Sequence, residues 1–144
     1  MRAVILDTGP VIGLLSEDDE HHAASVVAIK ASGRKGRKLC TIREVIGEAY
    51  TLFRTRYSPH RSAEPALAVL RWARESGIEL LETGEGDHQR AAAILERYSQ
   101  LRLSYVDALL LAVAERNRIE ELITVDMRHF STVRLGHRMT VTRV

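Results

Sequence analysis

Residues 1–14 read MRAVILDTGPVIGL. Ala3-Val4-Ile5-Leu6 is an unbroken apolar run, which predicts a short strand buried on both faces of a parallel sheet. The run ends on a carboxylate, Asp7. Thr8-Gly9-Pro10 then breaks it, and Val11-Ile12-Gly13-Leu14-Leu15 resumes as a helix with Pro10 in its first turn. Ligands of α/β folds bind in the crevice at the carboxyl ends of the strands. Asp7 therefore has two readings, a cap for the following helix or a group facing that crevice. The two are compatible, so its companions matter.

The same pattern recurs late in the chain. Glu121-Leu122-Ile123-Thr124-Val125-Asp126 is again a short apolar strand ending on an acid, followed by a turn at Met127-Arg128-His129-Phe130. A cap is again the simpler reading of Asp126. Two more acids lie on predicted helices. Residues 41–57 (TIREVIGEAYTLFRTRY) carry apolar side chains at Ile42, Val45, Ile46, Ala49, Leu52 and Phe53, with Glu44 and Glu48 one turn apart. At about 100° per residue, Glu48 flanks the apolar stripe beside Leu52 while Glu44 points further toward solvent. Ser104-Tyr105-Val106-Asp107 opens the most apolar helix, ALLLAVAE, and Ser104 with Asp107 three residues on is the capping-box pattern. Yet Asp107 has Leu110, Leu111 and Ala114 on its own face, where a carboxylate is partly desolvated and wants a cation or donor. Both readings of Asp107 stand.

The remaining segments complete an alternation of strands and helices. Residues 20–32 (EHHAASVVAIKAS) predict a helix with Ala24, Val27, Ala28 and Ala31 as its apolar set. His21-His22 has the look of a metal pair, but adjacent helical residues diverge by about 100°, so solvated surface is the simpler reading. A basic turn, Gly33-Arg34-Lys35-Gly36-Arg37-Lys38, precedes a strand at Leu39 to Ile42; such loops either grip phosphate or are merely solvated. Pro59 to Ser76 predicts a helix with Ala66, Leu67, Val69, Leu70 and Ala73 inward and Trp72 nearby, ended by Gly77. A strand at Ile78 to Leu81 follows, then a helix at Asp87 to Leu101 on Ala91, Ala92, Ile94, Leu95 and Tyr98, and finally an edge strand at Met139 to Val144. The expected fold is a single α/β domain over residues 1–144. Its mostly parallel, doubly wound sheet has about five strands, flanked by helices on both faces.

Composition narrows the class. At 144 residues, 45% hydrophobic and 28% charged, the chain can bury a proper core as one domain. A net charge of +2 does not by itself announce a nucleic-acid binder. Eighteen of the 21 basic residues are Arg, whose fork suits phosphate, though a biased genome produces the same excess. The single Cys40 excludes an intramolecular disulfide and a Cys-based metal site, as expected in a reducing cytosol. Asp7 interrupts the N-terminal apolar region, against a secretory signal, and the longest apolar run, Ala108 to Ala114, is short of the roughly 18 residues of a membrane span. The expectation is a soluble, cytoplasmic protein with no membrane contact. There is no G-x-S-x-G elbow, no H-E-x-x-H motif and, since Thr8-Gly9 follows Asp7, no Asp-x-Asp of the phosphatase kind.

If two strand-end acids and two helix acids share one crevice, they repel one another and raise each other's pKa values. The ordinary remedy is a hard divalent cation with oxygen ligands, Mg²⁺ or Mn²⁺. Spacing alone leaves the convergence open. It makes a metal-dependent phosphodiesterase the leading reading.

AVILDTGPVIGLL, TIREVIGEAYTLFRTR, LSYVDALLLAVAE and LITVDMRHFSTV resemble, in order, the successive motifs of PIN-domain ribonucleases, and most closely the VapC-type toxins of prokaryotic toxin–antitoxin pairs. The resemblance covers essentially the whole chain. It implies an acidic tetrad at Asp7, Glu48, Asp107 and Asp126 that holds one or two Mg²⁺ or Mn²⁺ ions, with Thr8 and Thr124 as supporting hydroxyls. It also implies that the strands ending at Asp7 and Asp126 are neighbours across the switch point. The implied activity is hydrolysis of RNA. Arg34, Lys35, Arg37 and Lys38 are candidates to position the strand, and an antitoxin protein and a second copy of the chain are the implied partners. A housekeeping RNA-processing nuclease and a non-cleaving PIN-fold binding module are the alternatives.

Overall fold

The computed structural model describes residues 2–56 and 62–144. In chain order its elements are β1 (Ala3–Leu6), α1 (Thr8–Leu15), α2 (His22–Arg34), β2 (Lys38–Ile42), α3 (Arg43–Thr55) and α4 (Glu64–Glu75). There follow β3 (Glu79–Leu81), α5 (Glu85–Arg97), α6 (Tyr105–Arg116), β4 (Glu121–Thr124), α7 (Met127–Thr132) and β5 (Thr140–Arg143). The five strands form one sheet in the order β3-β2-β1-β4-β5, and every pairing is parallel. All four residues of β1 and all four of β4 are buried. Successive strand residues face opposite sides, so both faces of the sheet centre are covered.

The order of strands positions the site. The chain winds from β1 through β2 to β3 on one side, then crosses to β4 on the other side of β1 and on to β5. Val4 pairs with Glu121 and Leu6 with Ile123, which brings the ends of β1 and β4 side by side. This junction is the topological switch point, where α/β sheets open a crevice. Below it, α6 is buried all round: Ala108 through Ala114 are each inaccessible or nearly so. Each of Leu109, Leu110 and Leu111 contributes on the order of 2 kcal/mol by leaving water. Two glycines permit close helix approach. A Cβ on Gly13 would lie 2.5 Å from the Ser25 hydroxyl of α2, and one on Gly9 would lie 2.7 Å from both methyls of Val125.

Several expectations need correcting. The inward face of α2 is not the Ala24/Val27 stripe, since Val27 is 67% exposed and Ser25 and Ser32 are the buried residues. In α4 the buried line is Ala66, Val69 and Ala73; Leu67 and Leu70 are 39% and 38% exposed. That helix starts at Glu64 with Pro65 in its first turn, and the expected start at Pro59 lies outside the described residues. Thr41 and Ile42 belong to β2 rather than to the helix after it. The segment after Asp126 is a short helix, α7, rather than a turn. Gly77 ends α4 as expected, at φ 78°, a conformation that glycine adopts without strain.

Candidate acidic site at the switch point

Asp7 follows β1 directly, and its backbone N–H extends the ladder by donating to the Ile123 carbonyl at 3.1 Å. Although Asp7 is the N-cap residue of α1, its side chain makes no cap hydrogen bond. Oδ2 instead accepts from the Thr124 hydroxyl at 2.8 Å. The same Thr124 Oγ1 accepts the backbone N–H of Asp126 at 3.0 Å. One fully buried hydroxyl thus links the acids that end β1 and β4.

The helix acids reach the same place. Glu48 Oε2 accepts from the Thr8 hydroxyl at 2.6 Å, which ties α3 to the start of α1. Glu44, the alternative one turn earlier, instead accepts from Thr83 at 2.7 Å. The geometry therefore favours Glu48. Asp107 makes the full capping box: its N–H donates to Ser104 Oγ, and its Oδ2 accepts the Ser104 N–H, both at 3.0 Å. Capping engages one oxygen of Asp107 and leaves Oδ1, so the two readings of this residue coexist. Asp126 is half exposed, makes no cap bond at the start of α7, and has Oδ2 3.3 Å from His129 Nε2.

Electrostatics link the four acids. Asp7 is only 7% exposed. Burial, with the charge of Asp107 next, pushes its carboxyl up to about 7, against the lowering effect of the Thr8 N–H and the Thr124 hydroxyl; Glu48 adds a further push. Asp107 is raised first by its own burial and further by Glu48 and Asp126, while Ser104 holds it down. The charge neighbours of these two buried carboxyls thus draw in all four acids. Their donors are all hard oxygens, the chemistry of a hard divalent cation. Among the described residues no three or more His, Cys, Asp or Glu side chains stand close enough together to hold a metal ion between them. An open set fits an ion that keeps several waters and takes only one or two carboxylates directly. A cavity of about 540 Å³ opens beside the site, lined by Gly9, Ile12 and Val125 and by the acids Asp18, Asp19 and Glu20.

The other candidates fall elsewhere. The basic loop precedes β2, and Lys38 pairs with Ala3, the first residue of β1. Asp7 follows the last residue of β1, so about four residues of strand, roughly 13 Å, separate the two ends. Arg37 is engaged by Glu120 and Glu121 at 3.0 Å each, and Lys38 lies 3.6 Å from Glu79. Arg34, Lys35, Arg37 and Lys38, the candidates to position an RNA strand, thus sit at the end of the sheet away from the acids, with Arg37 and Lys38 facing acids of their own. His21 and His22 diverge as expected, to Glu20 and to the Gly13 carbonyl. One site residue was missed. His129 stands one turn after Asp126, but reading that segment as a turn hid the i, i+3 relation.

The family model described as the PIN domain matches residues 4–135. This chain belongs to the PIN domain family. Asp7, Glu48, Asp107 and Asp126 all lie within the matched span. Over 140 residues the PIN chain is 31% identical to Ribonuclease VapC26 of Mycobacterium tuberculosis, a match that covers 96% of this chain and 98% of that protein. Among solved structures, the PIN fold superposes on Mycobacterium tuberculosis VapC20, described as a sarcin-ricin loop cleaving toxin. The TM-score is 0.75 at 19% identity, over 90% of this chain and 95% of the other. It also superposes on the VapBC2 structure from Rickettsia felis bound to a promoter DNA fragment, with TM-score 0.71 at 12% identity over 99% and 98% of the two chains. At those identities the structural matches speak for the fold.

Proposed function

We propose that this PIN domain is a divalent-metal-dependent ribonuclease of the VapC kind, the toxin of a toxin–antitoxin pair. The observation that carries the reading is the set of four acids at the switch point whose charges act on the buried Asp7 and on Asp107, with Asp7, Glu48 and Asp107 each held through a carboxylate oxygen by a hydrogen bond. Likeness over nearly the full length to a protein named Ribonuclease VapC26 supports both the chemistry and the toxin role.

Asp7, Glu48, Asp107 and Asp126 are the residues that would hold Mg²⁺ or Mn²⁺. Such an ion, when bound, supplies Lewis-acid charge against an RNA phosphate and eases in-line hydrolysis by water. The chain's own contribution is orientation. Thr124 fixes Asp7 and the backbone at Asp126, Thr8 fixes Glu48, and Ser104 fixes Asp107, so that these three carboxylates need not reorganise. Incubating purified protein with structured RNAs tests the reading. Cleavage with Mn²⁺ is expected, and none in EDTA or with Asp7→Asn; cleavage that persists in EDTA would overturn it.

An antitoxin protein and a second copy of the chain are the proposed partners, and the cytoplasm the proposed location. Among the described residues no helix is long and apolar enough to cross a membrane. The exposed Leu67 and Leu70 of α4, beside half-buried Trp72, support the dimer. Light scattering of wild type against Leu70→Glu checks this, and a strict monomer at high micromolar concentration would count against it.

A further inference from the structure

Three of the four site acids have one carboxylate oxygen held by a hydrogen bond from a distinct donor: Asp7 by Thr124, Glu48 by Thr8 and Asp107 by the Ser104 N–H. Asp126 has only its backbone held, by Thr124. Its side chain is the most exposed of the set at 49%, and the torsion that turns a carboxylate is broad and two-fold. Aspartate at a helix N-terminus ordinarily bonds the first-turn N–H groups, yet Asp126 makes no such bond to α7. Its Oδ2 faces His129 Nε2 at 3.3 Å instead.

The imidazole is itself well placed. The His129 side chain is only 20% exposed, and the next residue, Phe130, anchors α7 in the core. Nδ1 of His129 is buried with no partner. A neutral imidazole carries one N–H and one bare nitrogen, and burying an orphaned N–H is the rarer and costlier choice. The bare nitrogen is then Nδ1, and the proton sits on Nε2, which lies 3.3 Å from a carboxylate oxygen that can only accept.

We propose that His129 is the positioning residue of Asp126, holding Oδ2 through Nε2–H so that Oδ1 stays available to a cation shared with the other acids. The proposal rests on the metal-site reading above and adds the missing fourth donor to it. Donors behind metal-ligating carboxylates typically contribute 10–100-fold in metal affinity.

Mn²⁺ titration of the purified, metal-free protein tests this, with thermal midpoints in EDTA measured alongside. His129→Leu is expected to weaken Mn²⁺ binding by about 10-fold or more while leaving the EDTA midpoint near wild type. His129→Gln, whose amide N–H reaches about as far as Nε2, should restore most of the binding. In an Asp126→Asn background, His129→Leu should cost nothing further. Wild-type affinity in His129→Leu, failure of Gln to rescue, or an undiminished effect in the Asp126→Asn background would each overturn the proposal while leaving the acid site standing. A wild-type protein that binds no Mn²⁺ would remove the site reading and this proposal with it. If His129→Leu fails to fold, imidazole ¹⁵N spectra of the metal-free wild type decide: a bare Nδ1 with a protonated Nε2 supports the proposal, and the reverse tautomer overturns it.

Discussion

Replacing Asp7 with Asn removes a charge from a place that resists it. The Asp7 carboxyl is 7% exposed, and burial together with the neighbouring charges of Asp107 and Glu48 lifts it from an ordinary 3.8 to about 7. A group whose folded pKa lies above its unfolded value contributes stability that is fully present below about pH 4 and is lost as pH rises through 7. The rise corresponds to about 4 kcal/mol. In metal-free buffer, wild type should therefore lose about 2 kcal/mol from this group by pH 5 and about 4 kcal/mol by pH 8. Asn does not titrate, and its carbonyl still accepts the Thr124 hydroxyl that now bonds Oδ2 at 2.8 Å. Asp87 and Glu115, whose carboxyls are lowered by Arg116 and Arg90 against the cost of their own burial, contribute stability that is present above the ordinary carboxylate range and lost only as pH falls below it, in both proteins alike. The informative quantity is thus the difference between variant and wild type, from urea unfolding in EDTA at pH 5 and pH 8. The advantage of Asp7→Asn should roughly double between the two. An advantage that stays flat or shrinks would mean that Asp7 carries no such strain, and the argument for a crowded acidic site would fail with it.

Asp107→Asn keeps an oxygen to accept the Ser104 N–H, so its EDTA midpoint should hold or rise while RNA cleavage falls by orders of magnitude; an active, slightly destabilised variant would return Asp107 to capping alone. Gly9→Ala puts a methyl 2.7 Å from both Val125 methyls and should cost about 1–3 kcal/mol in urea unfolding. Adding Val125→Ala should recover part of that loss, and no recovery would mean the strain lies elsewhere. Arg37→Met leaves the nearly buried Glu121 with only the hydroxyls of Ser32 and Thr142, and should cost about 3–5 kcal/mol. Cleavage per folded molecule should be unchanged by it, and a loss of RNA affinity would restore the basic loop to the substrate path.

The centre of the sheet was readable because a buried parallel strand has a plain signature. Ala3–Leu6 is apolar at every position and stops on an acid, and Glu121–Thr124 nearly repeats this. Helix faces were less legible where packing selects size over hydrophobicity. The inner face of α2 carries Ser25, which fits the notch left by Gly13, and Ser32, whose hydroxyl donates to Glu121 Oε2 at 2.9 Å. Small hydroxyl residues at a close crossing look like surface in a sequence. In α4 the true line and the rejected leucines differ by a single position, a rotation of about 100° that the apolar pattern tolerates. Helical phase favoured Glu48 over Glu44, but the deciding partner, Thr8, is 40 residues away. The surroundings of the basic loop were hidden for a related reason. Charge is visible in a sequence, whereas the acids that engage Arg37 lie 83 and 84 residues further along.

The bond from Thr124 to Asp7 joins residues separated by 117 positions. During synthesis, Thr124 and Asp126 leave the ribosome more than a hundred residues after Asp7. Until Glu121 emerges, β1 has no neighbour on the β4 side. At about 5–20 residues per second, Asp7 waits on the order of ten seconds for its partner strand. Through that interval the acid at the end of β4 is not yet present beside Asp7. Pairings of such long sequence separation also close slowly, because the whole intervening loop is ordered before the contact rewards it. A truncated or stalled chain that ends before β4 therefore lacks Asp126 and the hydroxyl that orients Asp7.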